Sequence, residues 1–148
     1  MIKKIKWNIK KKLKMKKIGV WLDQKEANII TIFNDTVQNK TVYSDIETRE
    51  RFVGETKKFG RFGDQYLNDE KGKKNRIHEL TNRYLNEILK ELSDAEEFIL
   101  FGPAQTKLKL EKLIHNKLEL SSKLKEVQTA ENMTENQKVA YVKKYFNL

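Results

Sequence analysis

The sequence predicts an α/β domain: a three-layer mixed sheet whose elements run strand, strand, strand, helix, strand, helix, strand, helix. Three observations predict it. The first third carries short runs rich in β-branched residues and separated by turn chemistry. A single long stripe of apolar residues at 3.6-residue period follows, over Ile77 to Leu92. After it, strand-like and helix-like patterns alternate, which implies parallel strands joined by helical crossovers. At 148 residues there is room for one domain with a real core.

The strands come first. Ile18-Gly-Val-Trp-Leu22 is an apolar run ended by Asp23-Gln24, and Gly19 within it suggests a bulge or a close approach of another backbone. Ala27 to Phe33 follows and is closed by Asn34-Asp35, two residues suited to a tight turn. Thr36 to Ile46 makes a third strand, so the three form an antiparallel meander. The helix is read as starting near Lys74, with its apolar face at Ile77, Leu80, Thr81, Tyr84, Leu85, Ile88, Leu89 and Leu92. Glu97 to Phe101 reads as a buried strand. Gly102-Pro103 then turns into a helix with proline at the first helical position, running to about Leu118. A weak strand over Leu124 to Val127 precedes a last helix opened by the capping box Thr134-Glu-Asn-Gln137. Helices are expected on both faces of the sheet.

The net charge of +10 is unevenly placed. Residues 1–17 hold nine lysines and no acid, leaving 22 basic against 21 acidic side chains in the rest. The chain therefore divides into a basic tail, 1–17, and a nearly neutral domain, 18–148. Such a tail attracts phosphate-rich partners through counterion release. Ile2, Ile5, Ile9 and Leu13 also permit a basic amphipathic helix. An alternative start at Met15 would make the tail an extension. The chain has no cysteine, which excludes disulfides and thiolate metal sites and makes a reducing, cytoplasmic setting the expectation. No apolar run approaches the roughly 18 residues of a membrane span.

Enzyme signatures are sparse. The predicted strand order is also that of the ribonuclease H-like architecture, and two-metal nucleases of that shape need converging carboxylates at strand ends. Only Asp23, Glu96 and Glu97 are near such ends, so no metal site is expected. His78 and His115 sit on helices with no elbow-type serine motif, and phosphate-cradling glycine patterns are absent. What remains is Val53 to Gln65, thirteen residues that hold three of the six glycines. Lys57, Lys58 and Arg61 interleave there with Phe59 and Phe62, while Lys71, Lys73, Lys74 and Arg76 follow. Cations with glycines and aromatic faces suit an irregular RNA surface, and a solvated connector packed by its phenylalanines is the competing reading.

Lys57-Lys-Phe-Gly-Arg-Phe-Gly-Asp-Gln65, followed by a charged linker into a long helix, resembles the middle domain of archaeal and eukaryotic class-1 peptide release factors. There a Lys-Lys-x-Gly-Arg-Gly-Gly-Gln loop stands between three strands and the long helix. Ile99-Leu-Phe-Gly-Pro-Ala104 is similar to that domain's next strand and turn, and Thr129 to Gln137 to a segment of small bacterial single-domain relatives. The resemblance spans residues 17–147 and implies the translational-machinery-component version of the fold. It implies a loop reaching the peptidyl transferase centre of the large ribosomal subunit, with Gln65 helping to place a water on the peptidyl-tRNA ester and Gly63 allowing close approach. Asp64 stands where the family has glycine, and Phe62 is an extra residue.

The expected function is thus a ribosome-associated, release-factor-like protein of translation rescue or quality control. Its activity, where present, is peptidyl-tRNA ester hydrolysis through Gln65 and Gly63, and RNA is held by Lys57, Lys58, Arg61, Lys71, Lys73, Lys74 and Arg76. Two alternatives stand beside it: a non-catalytic RNA- or ribosome-binding module, for example one occupying idle ribosomes, and an adaptor whose tail engages an anionic membrane. The partners implied are the large subunit and its ribosomal RNA or tRNA, with no cofactor, no metal and no DNA, and with a membrane surface less favoured. These 148 residues hold no counterpart of the family's codon-reading and carboxy-terminal domains, so codon-dependent termination is not expected.

Overall fold

The computed structural model describes residues 15–46, 63–103 and 105–148, with the backbone alone for 63–69. Three strands run β1 (Lys17–Leu22), β2 (Glu26–Phe33) and β3 (Thr36–Tyr43). The long helix α1 (Gly63–Leu92) leads to β4 (Glu97–Gly102), then α2 (Thr106–His115), a single turn α3 (Leu118–Ser121), β5 (Leu124–Thr129) and α4 (Glu135–Tyr145). The sheet order is β3-β2-β1-β4-β5. β1 pairs antiparallel with β2, and β2 with β3, while β1–β4 and β4–β5 are parallel. The mixed sheet and ribonuclease H-like topology expected from the sequence are both present.

Local chemistry explains the meander. Asp23 Oδ1 accepts the N–H groups of Lys25 and Glu26, each at 2.8 Å, which folds the chain from β1 into β2. Asn34 and Asp35 take φ of 50° and 64°, the left-handed pair that a two-residue hairpin of type I′ requires. β3 ends at Tyr43, short of the Ile46 expected. Ser44 still donates its N–H to the Lys25 carbonyl at 2.9 Å, and Ile46 is buried beyond the strand.

Strand alternation builds a core on each face. On one face Ile18, Val20, Leu22, Ile29, Phe98 and Leu100 meet Tyr84, Leu85, Ile88, Leu89 and Leu92 of α1, with Leu110 and Ile114 of α2 and Leu120 of α3. On the other, Trp21, Ile30, Ile32, Ile99 and Phe101 meet Val142 of α4. The expected capping box starts α4: Thr134 Oγ1 accepts the Gln137 N–H at 3.2 Å, and Gln137 Oε1 accepts the Thr134 N–H at 2.9 Å.

Two glycines are required by close approach. A Cβ at Gly19 would overlap the Val142 side chain of α4, so what comes close there is a side chain and not the backbone expected from the sequence. Gly102 has φ of 142° and faces the Leu22 carbonyl, where an added Cβ would collide with main chain. This conformation carries the chain away from β4 before any helix forms. Pro103 is therefore not the first helical residue; α2 starts at Thr106, with the Gln105 carbonyl accepting the Leu108 N–H at 3.0 Å. Nor does α2 reach Leu118. It ends at His115, the Lys117 N–H bonds back to Ile114, and α3 turns Leu120 into the core while Leu118 is left 88% exposed.

Lys17, counted with the basic tail from the sequence, opens β1. Lys16 and Lys17 hydrogen-bond Asp94 and Glu97 at 2.7 Å each. Those bonds hold both carboxyl groups below their usual range, against a smaller opposing effect of burial. Residues 1–14 lie outside the described residues.

Two outcomes test this packing. Gly19→Ala is expected to cost about 1–3 kcal/mol by overpacking against Val142. Adding Val142→Ala should then cost less than it does alone, and urea denaturation followed by Trp fluorescence would measure the coupling. The second concerns Tyr84, whose buried hydroxyl donates to the Asp23 carbonyl at 3.0 Å. Burial, reinforced by Asp23 and Glu26, pushes its pKa far above the usual range. The phenol stays protonated in the folded chain while the unfolded one ionises above about pH 10, so its contribution is complete below that pH and declines above it. Stability should fall by up to about 1.4 kcal/mol per pH unit more steeply in the native chain than in Tyr84→Phe.

Candidate nucleic-acid interface

α1 has two halves. From Tyr84 to Leu92 its apolar stripe is buried against the sheet, whereas residues 70–79 are all exposed. At 30 residues the helix is about 45 Å long. The sequence placed its start near Lys74, but the backbone is already helical at Gly63. Periodicity cannot mark turns such as those over residues 70–79, whose side chains are all exposed. Propensity does not mark the start either: between Asp64 and Arg76, Gln65, Leu67, Glu70, the three lysines and Arg76 are set against Asp64, Asn68, Asp69, Gly72 and Asn75.

This start relocates the candidate residues. Gly63 and Gln65 lie in the first turn of α1 and not in a loop. Residues 53–62, with Lys57, Lys58 and Arg61, lie outside the described residues. Lys71, Lys73, Lys74 and Arg76 are exposed on the outer half of the helix, and none forms an ion pair with another described residue. They do not make one stripe. Lys71 and Lys74 share a side at i,i+3 spacing, and Lys73 and Arg76 share another. Lys74 also borders a groove between α1 and α2, facing Lys109 and Lys112, two cations not singled out from sequence. Their three-residue spacing on α2, away from buried Leu110 and Ile114, is the signal that would have found them.

Other chemistries fit the described residues poorly. Asp23 spends its carboxylate on the β1–β2 turn. Glu97 is paired with Lys17 at 2.7 Å and Lys125 at 3.8 Å. Among the described residues no three His, Asp or Glu side chains cluster as metal ligands would. His78 is exposed and borders the same groove between α1 and α2. His115 Nδ1 is 3.2 Å from Ser121 Oγ, and its Nε2 is 3.9 Å from Glu111. That resembles a triad in composition only: the Glu contact is too long for a hydrogen bond, and the histidine is largely exposed.

No family model and no curated protein matches this chain. Its fold is shared with solved Pelota structures. The Thermoplasma acidophilum Pelota protein superposes with a TM-score of 0.51 at 19% identity, over 97% of this chain and 36% of that one. Archaeoglobus fulgidus Pelota gives a TM-score of 0.50 at 10% identity, over 97% and 35%. An archaeal translation termination factor, aRF1, gives 0.42 at 12% identity, over 89% and 37%. This chain thus spans about a third of the length of the Pelota proteins. What the Pelota likeness shows is the fold: the five-stranded mixed sheet with its flanking helices.

The outer half of α1 can be tested directly. In a chain with Lys71→Glu, Lys73→Glu and Arg76→Glu, affinity for single-stranded RNA should fall at least tenfold at moderate salt. The slope of log affinity against log salt should shrink by about 0.7 for each phosphate that is no longer neutralised, as measured by fluorescence anisotropy. The circular dichroism spectrum should be unchanged, because these side chains are exposed.

Proposed function

We propose that this chain is a ribosome-associated, release-factor-like domain working in translation rescue or quality control, in the cytoplasm, with the large subunit and its RNA as partner. One arrangement carries the reading. A basic, glycine-rich stretch lies between the β1–β3 meander and α1, and it ends in Gly63-Asp64-Gln65 at the first turn of a helix whose outer half carries exposed cations. The release-factor resemblance of residues 57–65 supports it, and the Pelota-like fold is compatible with it. In this reading Lys57, Lys58, Arg61, Lys71, Lys73, Lys74 and Arg76 meet RNA phosphates, which position the domain without reading sequence. The tail adds affinity of the same kind.

A specific observation favours a second reading, in which the domain binds ribosomes without hydrolysing the ester. Gly63 and Gln65 are separated by Asp64, a carboxylate where the resembled motif has glycine, and their backbone is helical. A negative charge approaching phosphate-lined RNA is unfavourable, and a helical turn leaves less backbone freedom for close approach to a substrate.

One experiment separates the two. Purified protein is sedimented with large subunits across a salt series, with and without residues 1–14, and the same samples are assayed for peptidyl-tRNA hydrolysis. Both readings expect co-sedimentation that weakens steeply with salt and weakens further without the tail. The rescue reading expects hydrolysis that Gln65→Ala reduces at least a hundredfold. Binding without hydrolysis selects the second reading, and failure to co-sediment at low salt would remove both.

A further inference from the structure

The groove between α1 and α2 encloses about 390 Å³. Its floor is aliphatic, made by Ile77, Leu85 and Leu113, and its margins carry Lys74, Lys109 and Lys112. Among the described residues, no carboxylate lines it. Ile77 is 39% exposed, so part of this floor meets solvent. The groove is long in the helix direction, since Lys74 and Leu85 are about 16 Å apart along α1.

We propose that this groove is a docking site for an acidic amphipathic helix of a partner protein, whose apolar side chains at i and i+4 fill the floor while its Asp or Glu residues meet the three lysines. The chemistry of the groove selects this occupant. Bases bind single-stranded RNA sites by stacking on aromatic faces, and among the described residues the groove offers only the His78 imidazole, with no Phe, Tyr or Trp. A phosphate would meet the lysines but leave the aliphatic floor uncovered, whereas an amphipathic helix covers both. The chain's own undescribed segments have the wrong charge. Residues 1–14 carry seven lysines and no acid, and residues 47–62 carry five basic and three acidic side chains. The margin lysines are exposed, so their ion pairs contribute little each and serve mainly to orient the ligand; the affinity comes from the buried anchors. The site shares only Lys74 with the ribosomal reading, and Lys109 and Lys112 test it without touching that residue.

The probe is a labelled, helix-stapled synthetic peptide of Glu and Ala with leucines at i, i+4 and i+7. Its controls are a scrambled peptide of the same composition, which has the same charge without the apolar face, and a single-stranded oligouridine. Anisotropy with the full chain is expected to give micromolar binding for the amphipathic peptide and at least tenfold weaker binding for the scramble. In an NMR titration, shifts should concentrate on Ile77, Leu85 and Leu113. Lys109→Glu with Lys112→Glu, both exposed positions, should weaken the peptide at least tenfold without changing the melting temperature. The proposal is overturned by equal affinity for the scramble, by no saturable peptide binding up to about 1 mM, or by shifts confined to other surfaces. It is also overturned, in favour of a nucleic-acid site, if oligouridine moves the same three resonances and the double variant abolishes that effect.

Discussion

The domain depends on the absence of a side chain at residue 19. β1 lies at the centre of the sheet, antiparallel to β2 and parallel to β4, and Gly19 sits at its middle, opposite Ile30 and Ile99. Because nothing projects there, Val142 rests against the β1 backbone and α4 comes down onto the second face of the sheet. That approach brings Lys138 into the interior, where its ammonium lies 3.6 Å from the centre of the Trp21 ring and donates to Asn28 Oδ1. Asn28 in turn donates to Thr41 Oγ1 at 3.0 Å, so the polar group is tied across β2 to β3. Burial pushes the Lys138 pKa down, and Glu26, Asp23 and Glu135 oppose that shift. A charge taken from water is tolerated when a ring face and a hydrogen bond replace its hydration.

The opposite face has a different design. Large side chains fill the layer there: Tyr84, Phe98, Leu100 and Ile88 are all essentially inaccessible. The Tyr84 hydroxyl reaches the Asp23 carbonyl, which fixes α1 to the turn leaving β1. Among the described side chains, the strong anchors of α1 thus lie in its last three turns, and the helix extends outward from them with residues 70–79 in solvent. The exposed cations stand where they do because the sheet holds only the other end of their helix.

Legibility in the sequence followed burial. The strands were readable because each alternates or runs apolar against a packed layer, and Tyr84 to Leu92 because every turn of that segment touches the core. The capping box was readable because its two side chains act locally. Where burial stops, so does the signal: the outer half of α1 has no period to detect, and its start at Gly63 was missed. The ends of α2 were missed for another reason. They are decided by the φ of Gly102 and by the inward turn of Leu120, both consequences of where β1 and the core already lie. Lys138 reads as a surface lysine on an amphipathic helix, and only the close seating of α4 encloses it. The candidate site was legible as a composition of glycines and cations, but not as a geometry. Lys71, Lys73, Lys74 and Arg76 look like one cluster in sequence and divide over two sides of a helix.

That division bears on how the two surfaces of α1 relate. Gly63 and Gln65 in its first turn, the outer cations and two of the groove-floor residues, Ile77 and Leu85, all belong to one helix, with Gln65 about 14 Å from Lys74 along the axis. Sharing a helix is not by itself coupling, since coupling needs an element with two arrangements that both ligands bias. Here Tyr84, Leu85, Ile88, Leu89 and Leu92 fix the inner half of α1 in one packed arrangement, and α2 is held beside it through Leu110 and Ile114 in the same core. A ligand in the groove would have to break that packing to tilt the helix, at the several kcal/mol that disrupting large core side chains costs. A ligand that contacts the groove as packed has no preference for a tilted helix, so its binding energy, however large, does not act against that packing. Occupation of the groove therefore leaves the first turn of α1 where it is, and the domain can hold a partner protein on one side of the helix while its N-terminal end remains open to another ligand.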